Sequence, residues 1–394
     1  MEIIQLTVFD KRKGPILGRH PWIFSGALKD LPDGIMQGTI VDVNDERGNF
    51  VARGYFGSYA QIAVRVLSLQ KEDIDVAFFE KKIAKAQRLR KKYIPENTNA
   101  YRLINAENDG IPGLIVDYYA GHLVLQCHTK GIENMKDMIV TALQNILSPI
   151  SIFERSDVLA LKKDDGEMSK SQIFGETPDE ILILEHGFKF YVDVKEGQKT
   201  GFFLDQREKR FALMKYAKDA NVLNTFCYSG GFTVYALAGG AKHVTSVDVS
   251  AKAIELAKKN VLANGFDTSR VTFLVEDVKK FLPSCGQDAY DVIILDPPAF
   301  IKDRKKKEEG IFGYKKINEM AMNIIADEGI LVSCSCSNHL SLQDFRYLLS
   351  ECGSRTRRTL QLIETHMHDL DHPELVPYME GGYLKTLFLR VLKD

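Results

Sequence analysis

From Val222 onward the chain alternates short apolar runs with amphipathic stretches, and the apolar runs stop at polar residues. Val222–Phe226 reads as a strand, and Gly230-Gly231 leads into a helix. His243–Val247 reads as a second strand, ending at Asp248. Ala251–Asn264 follows with Ile254, Leu256, Ala257, Val261 and Leu262 at helical spacing. Val271–Val275 predicts a strand before Glu276-Asp277, Tyr290–Leu295 one ending at Asp296, and Gly329–Ser333 one running into Cys334-Ser335-Cys336. Strand–helix alternation of this kind makes an α/β domain with a mostly parallel sheet, and ligands bind beyond the carboxyl ends of its strands. Polar residues at successive strand ends are therefore expected to converge on one site.

The first strand end carries Phe226-Cys227-Tyr228-Ser229-Gly230-Gly231. Glycine there lets a backbone approach a ligand, or lets a helix pack closely. The segment is not G-x-G-x-x-G and has no phosphate-loop Lys-Ser/Thr. Asp248 at the next strand end can accept both hydroxyls of a ribose, and Asp277 at the following one can take an adenine amino group. Either acid alone could equally cap a helix. Phe226, Tyr228, Ser229, Gly230, Gly231, Asp248 and Asp277 in this order describe an adenosine site without a pyrophosphate clamp. S-adenosylmethionine fits that description better than NAD.

Asp296-Pro297-Pro298-Ala299-Phe300 comes next. Two prolines stop the strand and stiffen the turn, which offers Asp296 and Phe300 to a substrate ring beside Pro297 and Pro298. A structural stop would need neither the acid nor the aromatic. At the last strand end, Cys334 and Cys336 would share one side of an extended strand. They are either small buried residues or hold a thiolate able to attack a base carbon.

The preceding residues divide in two. Up to about Gln70 the chain is punctuated by Gly14, Gly18, Pro21, Gly26, Pro32, Gly34 and Gly38. Short strands follow at Thr39–Val43, Phe50–Phe56 and Gln61–Leu69, with a hairpin turn at Asn44–Gly48, so a small β-barrel is expected. A helix follows, with Phe79, Ile83, Ala86 and Tyr93 as its apolar stripe. Its residues 81–92 hold Lys81, Lys82, Lys85, Arg88, Arg90, Lys91 and Lys92 and no acid. They are either a solvated face or contacts to phosphates. Residues 97–195 alternate strands, a helix (Ile132, Met135, Ile139, Ala142, Leu143, Ile146) and further strands at Ile181–Glu185 and Phe188–Val194, as in a small α+β module. The expected domains are thus 1–72, 73–195 and 196–394.

Composition narrows the class. The 394 residues carry 52 Lys plus Arg against 53 Asp plus Glu, a net charge of -1, which excludes nucleic-acid binding by bulk basicity but not by a local face. Six scattered cysteines without a C-x-x-C pair make neither a disulfide framework nor a structural zinc site, and a reduced, cytoplasmic setting is expected. The Met1–Gly14 segment lacks the apolar core of a secretory signal. No stretch reaches the roughly 18–20 apolar residues of a membrane span.

With these motifs in view, the last region resembles a class I S-adenosylmethionine-dependent methyltransferase. The whole chain resembles the bacterial ribosomal RNA large-subunit 5-methylcytosine methyltransferases, which carry an N-terminal PUA domain. Gly18-Arg19-His20-Pro21-Trp22-Ile23-Phe24 resembles the PUA signature. Glu107–Leu114 and Glu154–Asp157 resemble the central domain. Gly197-Gln198-Lys199-Thr200-Gly201-Phe202-Phe203-Leu204-Asp205-Gln206-Arg207 resembles the cofactor-lid motif, the most specific match. Asp371-His372-Pro373 and Glu380–Lys385 resemble the C-terminal segment. The family's Ser-Cys-Ser aligns with Ser335-Cys336-Ser337, which favours Cys336 over Cys334 as nucleophile.

The resemblance implies a Rossmann-like catalytic sheet preceded by a PUA-like barrel and a small α+β domain. It implies S-adenosylmethionine held by Gln198, Lys199 and Thr200 with the glycine turn and the acids, Asp296 included. Cys336 would attack C6 of a cytosine in ribosomal RNA, 23S by the family, with Asp296 at N3. Pro297, Pro298 and Phe300 would meet the base, and Lys81, Lys82, Lys85 and Arg88 the RNA backbone. Related 5-methylcytosine enzymes hold a second cysteine in the Asp-Pro-Pro-like turn. Here that turn has none, so the group that removes the C5 proton is not identified. Methylation at guanine N7 or an exocyclic amine, with Cys336 a bystander, is the alternative enzyme. A non-catalytic RNA-binding assembly factor is the alternative outside enzymes. A homodimer is compatible with the sequence.

Two further runs are read as bland. Glu364, His366, His368, Asp369, Asp371 and His372 lack metal-ligand spacing, so no metal is expected. Lys162–Glu167 and Lys302–Glu309 read as charged mobile loops, the second over the substrate entrance.

Overall fold

Apolar alternation and turn residues between positions 4 and 68 build the first sheet of the computed structural model, which describes residues 3–57, 61–157, 169–301 and 303–393. Strands β1 (Ile4–Thr7), β2 (Trp22–Phe24), β3 (Ile40–Asn44), β4 (Phe50–Phe56) and β5 (Ile62–Ser68) pair in the order β1-β3-β4-β5-β2. The β3–β4 hairpin turns where expected, and Asp45 fixes it by accepting the Arg47 and Asn49 amides. Leu6, Val8, Ile23, Val41, Val43 and Val64 form its core.

A second five-stranded sheet follows, from β6 (Ala100–Asn105), β7 (Leu114–Tyr119), β8 (His122–Cys127), β9 (Ser151–Arg155) and β10 (Lys170–Gly175), in the order β10-β9-β8-β7-β6. The helices Val76–Tyr93 and Lys136–Leu147 pack together, and their apolar faces share one core with this sheet. The first is capped by Asp75, whose side chain accepts the Phe78 amide at 2.9 Å. The stripe Phe79, Ile83, Ala86 is buried as expected, but its next place is taken by Arg90 rather than Tyr93. Tyr93 is half exposed at the helix end. Arg90 is 1% exposed and engages both Asp109 oxygens at 2.7 Å and the carbonyls of Arg102 and Asp371. The run of seven basic residues is therefore a face of six, with Arg90 belonging to the interior.

The strands β11 (Ile181–Glu185) and β12 (Phe188–Val192), expected within the central module, instead make a separate two-stranded ribbon. The remaining sheet has seven strands: β13 (Asn221–Thr225), β14 (His243–Asp248), β15 (Val271–Val275), β16 (Tyr290–Leu295), β17 (Ile325–Ser335), β18 (Arg358–His366) and β19 (Lys385–Lys393). Their order is β15-β14-β13-β16-β17-β19-β18, parallel through β17 and antiparallel at β19. This is the class I methyltransferase α/β fold. The order reverses between β13 and β16, where open α/β sheets bind ligands.

Two compact units result. The first comprises 1–183, 192–204 and 370–381, and the second 184–191, 205–369 and 382–394. Each is assembled from segments that are not contiguous in the chain. Residues 196–204 and 370–381 join the first unit through long-range pairs: Thr200 donates to Asp117 at 2.6 Å, and Asp371 accepts the Arg102 amide at 2.9 Å. Lys162–Glu167 and Lys302 lie outside the described residues. The rest of the run after the Asp-Pro-Pro turn is not a loop throughout. Residues 304–306 form a 3-10 turn, and Lys307–Glu309 begin the helix Lys307–Ile324, as two acids near its N-terminus favour.

Candidate active site

Five strand ends of the second unit carry the expected residues. After β13 the backbone takes left-handed φ at Phe226 (54°), Tyr228 (43°) and Gly230 (75°). Non-glycine residues rarely adopt that region, so the turn must be held from outside. The Cys227 amide donates to the Val247 carbonyl at 3.1 Å, the Tyr228 amide to Asp248 Oδ2 at 3.0 Å, and Asn260 Nδ2 to the Ser229 carbonyl at 2.9 Å. The glycines answer to packing. A Cβ on Gly230 would lie 2.8 Å from that of Ala257, and one on Gly231 would lie 2.9 Å from Arg210 Cδ.

Asp248 is 8% exposed at the end of β14, and its other oxygen accepts the Ser250 amide at 2.9 Å. Each carboxylate oxygen retains a second acceptor direction. An acid held this way beside a tight turn fits ribose hydroxyls, so the residues present suit an adenosyl group. Asp277 caps the short helix Val278–Phe281, its Oδ1 accepting the Lys279 amide at 2.8 Å. One of its oxygens is thus engaged in the cap, as its alternative reading had it.

The two cysteines separate sharply. Strand β17 ends at Ser335, so strand alternation does not extend to Cys336. Cys334 is 1% exposed and accepts the Thr386 hydroxyl at 3.3 Å. Burial pushes its thiol well above the ordinary range, and the Asp296 charge adds to the shift. A neutral buried thiol is inert. Cys336 is partly exposed, and its Sγ lies 3.9 Å from the Pro297 carbonyl.

Ser337 ties the cysteine turn to the proline turn. Its hydroxyl accepts the Ile301 amide at 3.2 Å and lies 3.0 Å from the Tyr314 hydroxyl, while its carbonyl accepts buried Lys385 Nζ at 2.8 Å. Phe300 packs on Tyr314 with centroids 4.8 Å apart, and Lys279 Nζ lies 5.4 Å from its ring centre. Gly310 and Gly313 permit that approach, since Cβ atoms there would meet the Phe300 backbone and ring. Pro297 is buried and Pro298 exposed. Asp296 is partly buried, and its Oδ1 accepts Gln206 Nε2 at 2.9 Å. Gln206, Tyr314 and Lys385 were not singled out individually from the sequence. Gln206 and Lys385 lay in quoted motifs, but Tyr314 had no local signal.

The other expected residues belong to the first unit. Gln198 is exposed, Lys199 has φ 51° with its Nζ 4.6 Å from the Phe203 ring centre, and Thr200 is buried against Tyr119 and Asp117. Lys81, Lys82, Lys85 and Arg88 line a groove of about 1000 Å³ with Arg19 and Lys92. The acids there are engaged: Asp109 by Arg90, Glu107 by the Trp22 indole, and Glu72 by Ser68 and Lys81. Lys82 Nζ donates to the Leu67 carbonyl at 3.1 Å. Burial lowers the pKa of its ammonium, and Lys85, Lys81 and Arg19 push the same way against Glu72. Like charges that press on one another in a groove attract a polyanion. Of the His-rich run, His366 pairs with Glu364, His372 with Asp371, and His368 Nε2 accepts the Leu384 amide. No helix among the described residues is long and apolar enough to cross a membrane.

Residues 108–390 match the S-adenosylmethionine-dependent methyltransferase family, and residues 6–69 match a PUA-like domain. The chain is 38% identical over 394 residues to ribosomal RNA large subunit methyltransferase I of Enterobacter sp. (strain 638), covering 99% of this chain and all of that protein. It is 41% identical over 387 residues to the protein of that name from Tolumonas auensis, covering 97% and 98%. Among solved structures it resembles SMU.776, provisionally assigned as a methyltransferase and solved with SAH. That match has a TM-score of 0.84 at 24% identity, over 98% of this chain and 100% of the other.

Proposed function

The chain belongs to the ribosomal RNA large subunit methyltransferase I family, and from that premise we propose that it methylates C5 of a cytosine in large-subunit ribosomal RNA through a covalent cysteine adduct. The observation that carries this reading is the contrast between the two thiols. Cys334 is sealed and neutral, whereas Cys336 sits partly exposed beyond the strand end, at the Asp-Pro-Pro turn.

C5 of cytosine is a weak nucleophile inside an aromatic ring. Attack of the Cys336 sulfur at C6 breaks the aromaticity and turns C5 into an enamine carbon. Asp296 enters this step in its acid form, delivers that proton toward N3 and so takes up the charge that develops there. S-adenosylmethionine supplies an electrophilic methyl group on its sulfonium. The glycine turn, Asp248 and Asp277 are assigned to its adenosyl part, and Gln198, Lys199 and Thr200 to its lid. After the methyl is on C5, the C5 proton leaves to a base, the sulfur–C6 bond breaks and N3 returns its proton to Asp296. The base must leave its stack to reach the thiol, and Pro297, Pro298 and Phe300 are assigned to receive it.

Nucleoside mass spectrometry of unmodified ribosomal RNA treated with enzyme and S-adenosylmethionine tests the reaction. The expected product is 5-methylcytidine. 7-Methylguanosine or an N-methylated amine would replace this reading.

The groove of the first unit is assigned to the phosphates flanking the target. Lys81→Gln, Lys85→Gln and Arg88→Gln combined are expected to weaken RNA binding at least about tenfold. They should also flatten its salt dependence by about 2–3 in log–log slope, near 0.7–0.9 per lost contact. Unchanged affinity in filter binding across a salt series would remove the groove from the interface. Arg90 is kept out of this set because it is interior.

A further inference from the structure

Asp296 is not held by its own turn alone. Gln206, the residue that precedes the helix Arg207–Leu213, donates Nε2–H to Asp296 Oδ1 at 2.9 Å across 90 residues of sequence. Gln206 is 3% exposed. Its Oε1 is buried and has no hydrogen-bond partner among the described residues. The amide is therefore anchored at one end, by Asp296. Its backbone position is set on both sides. The neighbouring Asp205 accepts the Tyr383 hydroxyl at 2.5 Å, its carbonyl accepts Lys209 Nζ at 2.6 Å, and Arg207 is fully buried. A rigid support carries one amide whose single partner among the described residues is the acid of the candidate site. Buried polar atoms are normally satisfied, and an exception calls for an explanation.

We propose that Gln206 is the positioning residue for Asp296, committing Oδ1 to itself so that Oδ2 is the oxygen that exchanges a proton with N3 of the substrate cytosine. This rests on the reaction proposed above. When the Cys336 sulfur bonds to C6, the C5–C6 electron pair is released into the ring, and N3 takes the proton from Asp296 Oδ2. The carboxylate that remains keeps its Gln206 hydrogen bond. On elimination the sulfur–C6 bond breaks and the proton returns from N3 to Oδ2. The same Nε2–H serves the acid and the carboxylate, because Oδ1 accepts in both. The carboxyl group thus does not rotate between steps. A fixed partner of this kind acts on the transition state more than on binding.

The test is steady-state methyl transfer to unmodified ribosomal RNA with Gln206→Ala and Gln206→Glu, alongside S-adenosylmethionine affinity by calorimetry and melting temperature. Gln206→Ala is expected to lower kcat by about 10- to 100-fold. The RNA KM and the cofactor Kd should stay within about twofold of the parent. Gln206→Glu places a second carboxyl against Asp296, and such a pair holds one proton between them. Its rate is expected to fall at neutral pH and to recover relative to the parent as the pH is lowered. An unchanged kcat in Gln206→Ala overturns the proposal. So does a loss accounted for by weaker cofactor binding or a lowered melting temperature. If the parent makes a product other than 5-methylcytidine, the reaction falls, while a loss confined to kcat still supports the Gln206–Asp296 coupling. If the parent makes 5-methylcytidine and Gln206→Ala is unimpaired, only the positioning role falls.

Discussion

Cys336→Ala is expected to abolish methyl transfer, by on the order of 10⁴-fold or more, because removing a nucleophile leaves only binding and electrostatics. Cys334→Ala is expected to stay within a few-fold of the parent. The asymmetry follows from the two environments. Cys334 is enclosed on β17, accepts the Thr386 hydroxyl and carries a thiol that burial keeps protonated. A protonated buried thiol neither attacks carbon nor reaches RNA. Cys336 lies past the strand end, near the Pro297 carbonyl, in a turn braced by Ser337, Tyr314 and Lys385. Single-turnover assays with labelled cofactor, paired with trapping on RNA containing 5-fluorocytidine, give the readout. A Cys336→Ala enzyme that retained turnover, or an adduct that vanished only in Cys334→Ala, would reverse the assignment.

Arg90→Ala is expected to destabilise the first unit by about 3–5 kcal/mol, the usual cost of breaking a buried ion pair by removing one partner. The loss has three parts. Asp109 loses its buried counter-ion, the Arg102 and Asp371 carbonyls lose a donor, and a large side chain vacates the interior. Lys91→Ala, exposed one position on, is expected within about 0.5 kcal/mol of the parent. Urea denaturation monitored in both variants makes the comparison. Equal midpoints would mean that Arg90 is an ordinary member of the basic face.

That pair of variants also shows where the sequence was legible and where it was not. Residues 81–92 read as seven like cations because composition is local. Arg90 leaves the set through a carbonyl 281 residues away, and no window of sequence contains that pairing. The same holds for Gln206. It lay in plain view within the lid-like motif, yet its partner Asp296 is 90 residues on. Thr200 was read with the cofactor lid on the strength of its motif, and its hydroxyl is committed to Asp117. The glycine pair at 230–231 is legible as a special turn, but only the folded chain brings up Ala257 and Arg210, which leave no room for side chains there.

By itself the sequence determined the α/β alternation, the strand ends that carry Asp248, Asp277, Asp296 and the cysteines, and the family. Each of these is written in neighbouring residues, as periodicity, as a stop signal or as a motif. The tertiary structure decided which thiol is sealed, which cation is interior, which acid is held by an amide, and which segments join which compact unit. Those outcomes depend on burial and on partners far apart in the chain. Burial sets whether a thiol ionises or a guanidinium needs a counter-ion, and it exists only once the chain has closed on itself.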